Sequence, residues 1–504
     1  MNRKILSLFL AFMLLISMLT GCSTKTQDNN ANTSGNDKVK DSLVYAIQGD
    51  IATLDPLHAA SNIDLEICAN LYSKLLTPKY EPDLAESWTM SDDGMYYIFN
   101  LRKGVKFHNG QEFKASDVVF TIDSAKKSPY VEIWAEPIKD VEEIDEYTVK
   151  INLNYPYSPF LLSLSQIHME NEKAVMEAGE SYGQNPIGTG PYKFVKHETG
   201  QSVQLTRYDD YYKGPTSIKD VTYKVITDQN TTLIALQSGE VDISKNIPAI
   251  SIQTIRQDAN LSVHENDAIS LFYIVLNTAA EPFNNIKVRQ AVAHAVNKSS
   301  VAQVATEGMA KIADSVINEM TFGFSSNVKA YPFDVEKAKA LLAEAGYPNG
   351  FELTIKTIDG SFKKCAEVVQ ENLSKIGITA KIELGELNAF FQDTMSGNYQ
   401  MAISGITITQ DLDSWQMVFE STGGMNESKY NNSKVDELFQ QGRELTDPEQ
   451  RLEKYEEMLT ILNSEVPIIP LFFPTITYVA NKDLNLGEFD VSDGYRIEDM
   501  SWTK

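Results

Sequence analysis

An α/β chain folded into two lobes is what the sequence predicts, and three observations carry that reading. The first half alternates strand patterns with interspersed helices, residues 351–384 hold a compact βαβ unit, and an apolar run, VPIIPLFF (466–473), brings the chain back toward its first lobe. SLVYAIQGD (42–50) opens the fold as a strand. YYIFNLRKGVKFHNG (96–110) reads as two strands around a Lys103-Gly104 turn, and SDVVFTIDSAKK (116–127) has helical spacing. TVKINLN (148–154) and SVQLTRYDDYY (202–212) alternate apolar and polar residues as half-buried strands do.

The second half changes character. NIKVRQAVAHAVNKSSVAQVA (285–305) is helical in pattern. DVEKAKALLAEAG (334–346) has Asp334 as N-cap, Gly346 as stop and Pro348 just beyond. FELTIKT (351–357), SFKKCAEVVQENLSKIG (361–377) and ITAKIEL (378–384) form the βαβ unit, whose crossover demands a parallel pair. YQMAISGITI (399–408) adds a strand after a short helix, and helices are expected near 433–444 and 448–463. No internal repeat is visible.

Arg3 and Lys4 precede an uncharged apolar run, Ile5 to Leu19, which ends in LTGC. The run is short for a membrane span and has the layout of a secretory signal, expected over residues 1–21. The LTGC sequence resembles a bacterial lipobox, which implies cleavage before Cys22 and a lipid on its thiol. Residues 22–41 then serve as lipidated cysteine and polar tether, with a reach of roughly 25 Å.

The chain carries 44 basic and 69 acidic residues, a net charge of −25. Loss of Arg3 and Lys4 with the signal leaves about −27. Such a surface repels phosphate backbones, and no basic patch interleaved with aromatics offsets it, so nucleic acid is excluded as a partner. Cys68 and Cys365 stand far apart in sequence, and buried free thiols are expected in preference to a bridge. The histidines at 58, 108, 168, 197, 264 and 294 make no HxH or HxxxH pair, so no metal cluster is expected. HExxH, GxSxG and Walker signatures are missing, and GTGPYK (188–193) lacks phosphate-loop spacing; Gly188 and Gly190 read as turn glycines.

Several phrases together resemble the family-5 extracellular solute-binding proteins of ABC transporters, which take oligopeptides, dipeptides and nickel chelates. They are DLAESWTMSDDGMYYIFNLRKGVKFHNGQEFKASDVVFTI (83–122), PIGTGPYKFVKH (186–197), RQAVAHAVNK (289–298), KAKALLAEAGYPNG (337–350) and VPIIPLFF (466–473). The resemblance implies a two-lobed periplasmic-binding-protein type II-like fold, hinge-linked, with an extra subdomain in lobe I. Lobe I is expected at 42–273 with an insertion at about 73–187, lobe II at 274–474, and a return to lobe I at 475–504. It further implies a monomer without cofactor or enzymatic activity, anchored by lipid to the outer face of the cell membrane or lying in a periplasm. Its partners would be a short peptide or peptide-like solute and the permease and ATPase subunits of an importer. A metal-chelate receptor is the alternative within the family.

The same resemblance directs attention to TITQDLDSWQMVF (407–419), which lines the cleft in relatives and carries their ammonium-binding aspartate. Here Thr409 and Gln410 stand near that position, followed by Asp411 and Asp413. Asp411 is read as the displaced ligand carboxylate, with a turn or helix cap as the other reading. Asp413 stands where nickel-binding members place a histidine, which weakens the chelate branch. Trp134 falls where relatives place a cleft aromatic and is the favoured aromatic wall, whereas Trp415 reads as either a cleft wall or core. Gln166 and His168 occupy another loop that faces the cleft in relatives. Lys364, beside Lys363 in the first turn of the 361–377 helix, is a candidate for holding a carboxylate, with a solvated helix face as the other reading.

Overall fold

The computed structural model describes residues 40–503. The expected signal segment, Cys22 and nearly all of the tether lie outside the described residues. Strand β1 (Ser42–Ile47) is followed by the helix Asn62–Leu71, capped by the Ser61 side chain. A separate antiparallel sheet comes next: β2 (Ala85–Met90), β3 (Tyr96–Leu101), β4 (Ile138–Asp145) and β5 (Thr148–Leu153), in the order β2-β3-β5-β4. TVKINL buries every second residue, so one face closes on the helix Ala115–Ala125 and a core around Phe99, Phe107, Phe113 and Phe160. The second strand expected within 96–110 does not form. Gly104 and Gly110 take positive φ and fold this stretch into tight turns that seat Val105, Phe107 and Phe113 in that core.

Strands β6 (Tyr192–Glu198), β7 (Ser202–Arg207), β8 (Asp220–Val225) and the short β9 (Ile243–Ser244) join β1 in the main sheet. The alternation expected over 202–212 ends at Arg207, after which Tyr208 and Tyr211 turn into buried positions. Gly188 and Gly190 hold their places through close approach and not through turn conformation. A Cβ on Gly188 would lie 1.9 Å from the Leu71 carbonyl oxygen, and one on Gly190 2.5 Å from the Leu71 carbonyl carbon.

Strand β10 (Leu261–Asp267) leads through 268–270 into β11 (Leu271–Leu276). The long helical pattern at 285–305 is two helices, Ile286–Ala295 and Lys298–Thr306, because the Asn297 side chain accepts the Ser300 amide and caps a new helix. A three-residue β12 (Ala310–Ile312) precedes the helix Val335–Glu344, whose N-cap is Asp334 as expected. The βαβ unit forms as read: β13 (Glu352–Thr357), helix Ser361–Ser374 and β14 (Thr379–Leu384), parallel in register Glu352↔Thr379. Then come β15 (Met401–Ile406), the helices Ser433–Glu444 and Pro448–Glu465, and the 14-residue β16 (Ile468–Asn481). Two small pairings close the chain: β17 (Leu484–Asn485) with β20 (Ser501–Trp502), and the hairpin of β18 (Phe489–Asp490) and β19 (Gly494–Tyr495). Cys68 and Cys365 are buried free thiols in separate cores.

The main sheet runs β14-β13-β15-β11-β16-β9-β1-β8-β7-β6. Strand β16 joins its two ends. Through Pro474 it pairs with β11 and β12, and from Thr475 it pairs with β10 and β9. The second crossing is the 268–270 link between β10 and β11. Two lobes therefore meet at two backbone crossings, and the expected boundary at 273 falls inside β11, all of which pairs with β15.

Candidate functional site

A cavity of about 400 Å³ opens at these crossings. Ala268, Ile269, Ser270, Ile476 and Tyr478 form its floor, the helix Asn62–Leu71 contributes Glu66, and the β18–β19 hairpin contributes Phe489 and Asp493. From the subdomain with the small sheet come Lys74, Tyr130, Trp134, Gln166 and His168, and from beyond β15 comes Thr407. Segments 56–74, 130–168, 245–270 and 476–494, with Thr407, thus converge on one space.

Its charges are paired. Lys74 Nζ lies 3.0 Å from Asp493 Oδ1, and Lys245 Nζ lies 2.7 Å from Glu66 Oε2. The other Glu66 oxygen accepts the Tyr45 hydroxyl at 2.5 Å. Burial works to raise the Asp493 carboxyl, but the adjacent Lys74 ammonium outweighs it and holds the acid below its ordinary range. His168 faces Lys74 across an isolated antiparallel bridge, and its buried Nε2 finds no hydrogen-bond partner among the described residues. Burial pulls its pKa down to about 3, with Lys74 adding to the effect and Asp493 opposing it, so the ring is neutral at physiological pH. Trp134 is half-buried, with one side packed on the subdomain core and the other turned to the cavity.

The expected residues separate into two groups. Trp134, Gln166 and His168 are brought together on the cavity wall. Gln410 stands beside the site, its Oε1 accepting the Ser492 hydroxyl of the hairpin at 3.3 Å, and Thr409 is half-buried in the same loop. Asp411 does not face the solute space. Both of its oxygens accept from Arg451 Nη2, at 3.1 and 3.0 Å, and Oδ1 also caps the following turn by accepting the Asp413 amide. A cap within an ion pair has replaced the expected ligand carboxylate. Asp413 is likewise internal, held by Arg443 at 3.2 Å, and burial pushes its pKa up to about 6 against the pull of Arg443.

Trp415 is core. It is fully buried, stacks on Phe419 at 5.3 Å and meets Tyr273 edge-on. Its strand-exit loop coils into a one-turn helix, Leu412–Trp415, which carries the indole away from the cavity. Lys364 sits on a solvated helix face with its Nζ 3.7 Å from Glu307, and it does not line the cavity. Sequence reasoning missed Lys74, Glu66, Lys245 and the β18–β19 hairpin. Lys74 and Asp493 are 419 residues apart, so local pattern carries no trace of their pairing. The one available signal was the turn composition of DVSDGY (490–495).

Residues 79–426 match the bacterial extracellular solute-binding proteins, family 5 Middle. The chain belongs to this family. It is 32% identical over 428 residues to the heme-binding protein A of Haemophilus influenzae, covering 78% of each chain. It is 28% identical over 503 residues to the dipeptide-binding protein of Escherichia coli, covering 91% of this chain and 94% of that one. Among solved structures it matches the ABC transporter-associated periplasmic binding protein DppA from Helicobacter pylori in complex with the peptide STSA. That match has a TM-score of 0.79 at 28% identity and covers 92% of this chain and 99% of that one. Family-5 proteins bind solutes and are not enzymes, so the cavity is a candidate binding site and not a catalytic one. Among the described residues no cluster of three or more His, Cys, Asp or Glu could hold a metal ion, and no helix is long and apolar enough to cross a membrane.

Proposed function

We propose that this solute-binding protein captures short peptides or peptide-like solutes in the cavity between its lobes and delivers them to an ABC permease. The observation that carries the reading is the cavity's combination of aromatic faces, Tyr130 and Trp134, with one buried polar atom that lacks a protein partner, His168 Nε2. Aromatic walls bury solute area at small entropic cost, while a few fixed polar groups orient it. The peptide-binding relatives support the choice of solute. The 268–270 and 474–475 crossings are the proposed hinge, and Cys22 is the proposed lipid anchor on the outer face of the membrane. Mass spectrometry of solute retained through native purification tests the reading. Short peptides should be recovered, and their addition should raise the melting temperature with concentration. A pooled di- to tetrapeptide library that leaves the melting temperature unchanged would sink it.

One observation favours a second reading, a metal-chelate or heme solute. A neutral, unpartnered imidazole nitrogen in a cleft can fill an open coordination position on a metal that a chelator carries in. Titration with hemin and with nickel chelates, followed by absorbance, discriminates the two. A saturable spectral change lost in His168→Gln would establish the chelate branch.

A further inference from the structure

We infer that the Lys74–His168 corner of the cavity reads an anionic group of the solute, a terminal or side-chain carboxylate. The inference rests on the cavity being the solute site. Its starting point is an incomplete set of bonds. The Lys74 ammonium has three N–H donors and, among the described residues, a single acceptor, Asp493 at 3.0 Å. Its side chain is only 10% exposed, so bulk water reaches it poorly. Next to it, His168 Nε2 is buried without a partner. Unmet polar groups in such a place cost stability unless something supplies the missing bonds. Both residues line one space, and that space is large enough for a solute.

The sign of the missing partner follows from the charges. A solute ammonium placed here would meet the Lys74 cation at contact distance, whereas a carboxylate would accept from Lys74 and from the Nε2–H tautomer of His168 together. The neutral ring costs the corner no second positive charge and can donate without competing for Asp493. The other cavity lysine differs. Lys245 is 39% exposed, so water completes its hydrogen bonds, and no orphaned donor stands beside it. Asp493 pairs with Lys74 and keeps the empty corner electrically balanced. It sits on a hairpin that Ser492 ties to Gln410 in the opposite lobe, so filling the corner bears on both walls of the cavity.

The test compares a pooled library of di- to tetrapeptides with free C-termini against the same pool amidated, with retention by the full chain read by mass spectrometry. Wild type should retain acids over amides by about 30-fold or more, the size expected for a desolvated charge contact. Lys74→Met should abolish the preference and weaken the acids by a similar factor. Asp493→Asn, which removes a competing anion, should keep or tighten acid binding, an outcome that a merely structural ion pair would not give. If Lys74→Met fails to fold, His168→Leu carries the comparison and should lower the acid-to-amide ratio several-fold. Equal retention of acids and amides by wild type overturns this inference alone. So does an Asp493→Asn loss as large as that of Lys74→Met. Retention of neither pool overturns the peptide reading and this inference with it.

Discussion

Asp411 carries its carboxylate into a site where Arg451 lies against the rings of Phe322 and Tyr455, with 3% of the residue exposed. Burial raises the pKa of the acid, and it stays raised even though Arg451 pulls it down. Asp411→Asn strands the arginine, and breaking such a pair costs about 3–5 kcal/mol. Urea unfolding should show that loss while solute affinity stays within about threefold. A fall in affinity at unchanged stability would return Asp411 to the solute site. His168 supplies the pH dependence. An unfolded histidine takes up its proton near pH 6.5, whereas the folded ring resists protonation until about 3. Between those values the unfolded chain binds the extra proton, so stability present at neutral pH is lost as pH falls. His168→Gln should therefore gain on the order of 2 kcal/mol relative to wild type on moving from pH 7.5 to pH 5. A stability difference that does not change with pH would show that the ring is not held neutral.

The β18–β19 hairpin is the element whose importance exceeds its size. Gly494 has φ of +74°, and a Cβ there would lie 2.8 Å from the Tyr478 hydroxyl, on the cavity floor. Gly494→Ala should cost about 1 kcal/mol through backbone strain and weaken solute binding several-fold by shifting the hairpin, with Phe489, against the cavity floor. Gly104→Ala is the control, since it has the same φ of +74° with nothing within 4 Å. It should cost similar stability and leave affinity unchanged. Equal binding by the two variants would remove the hairpin from the site.

Beyond the crossings and the Ser492–Gln410 hydrogen bond, Ser158 makes a further contact across the molecule. The Ser158 amide donates to the Arg443 carbonyl at 2.8 Å, and the Ser158 hydroxyl donates to the Leu445 carbonyl. The contact joins the segment after β5 to the last turn of the helix Ser433–Glu444 and the residue that follows it. As a clasp on the closed form, it predicts that Ser158→Ala speeds solute release by about fivefold, the worth of one hydrogen bond, without slowing capture. Stopped-flow displacement measures both rates. An unchanged release rate would make the contact incidental. Small-angle scattering should show compaction on adding solute, as two lobes closing about a hinge require.

Much of the fold was legible because its signals are local. The βαβ unit at 351–384 needs only the change of apolar period within one stretch, and Asp334 announces its helix by side-chain chemistry. Breaks escaped the same reasoning where one side chain decided them, as Asn297 does between two helices that share a single apolar pattern. Trp134, Gln166 and His168 were singled out by resemblance to relatives and not by a local period, and they line the cavity. Which carboxylate lines the cavity is not legible in the sequence. Asp411 and Asp493 are both acids in turn-rich loops, and nothing in either neighbourhood says that Arg451 claims one while Lys74 sets the other on the cavity wall. Residue type and local period are properties of a few adjacent positions. The partner of a buried charge is chosen by which distant segment packs against it, and only the tertiary fold makes that choice.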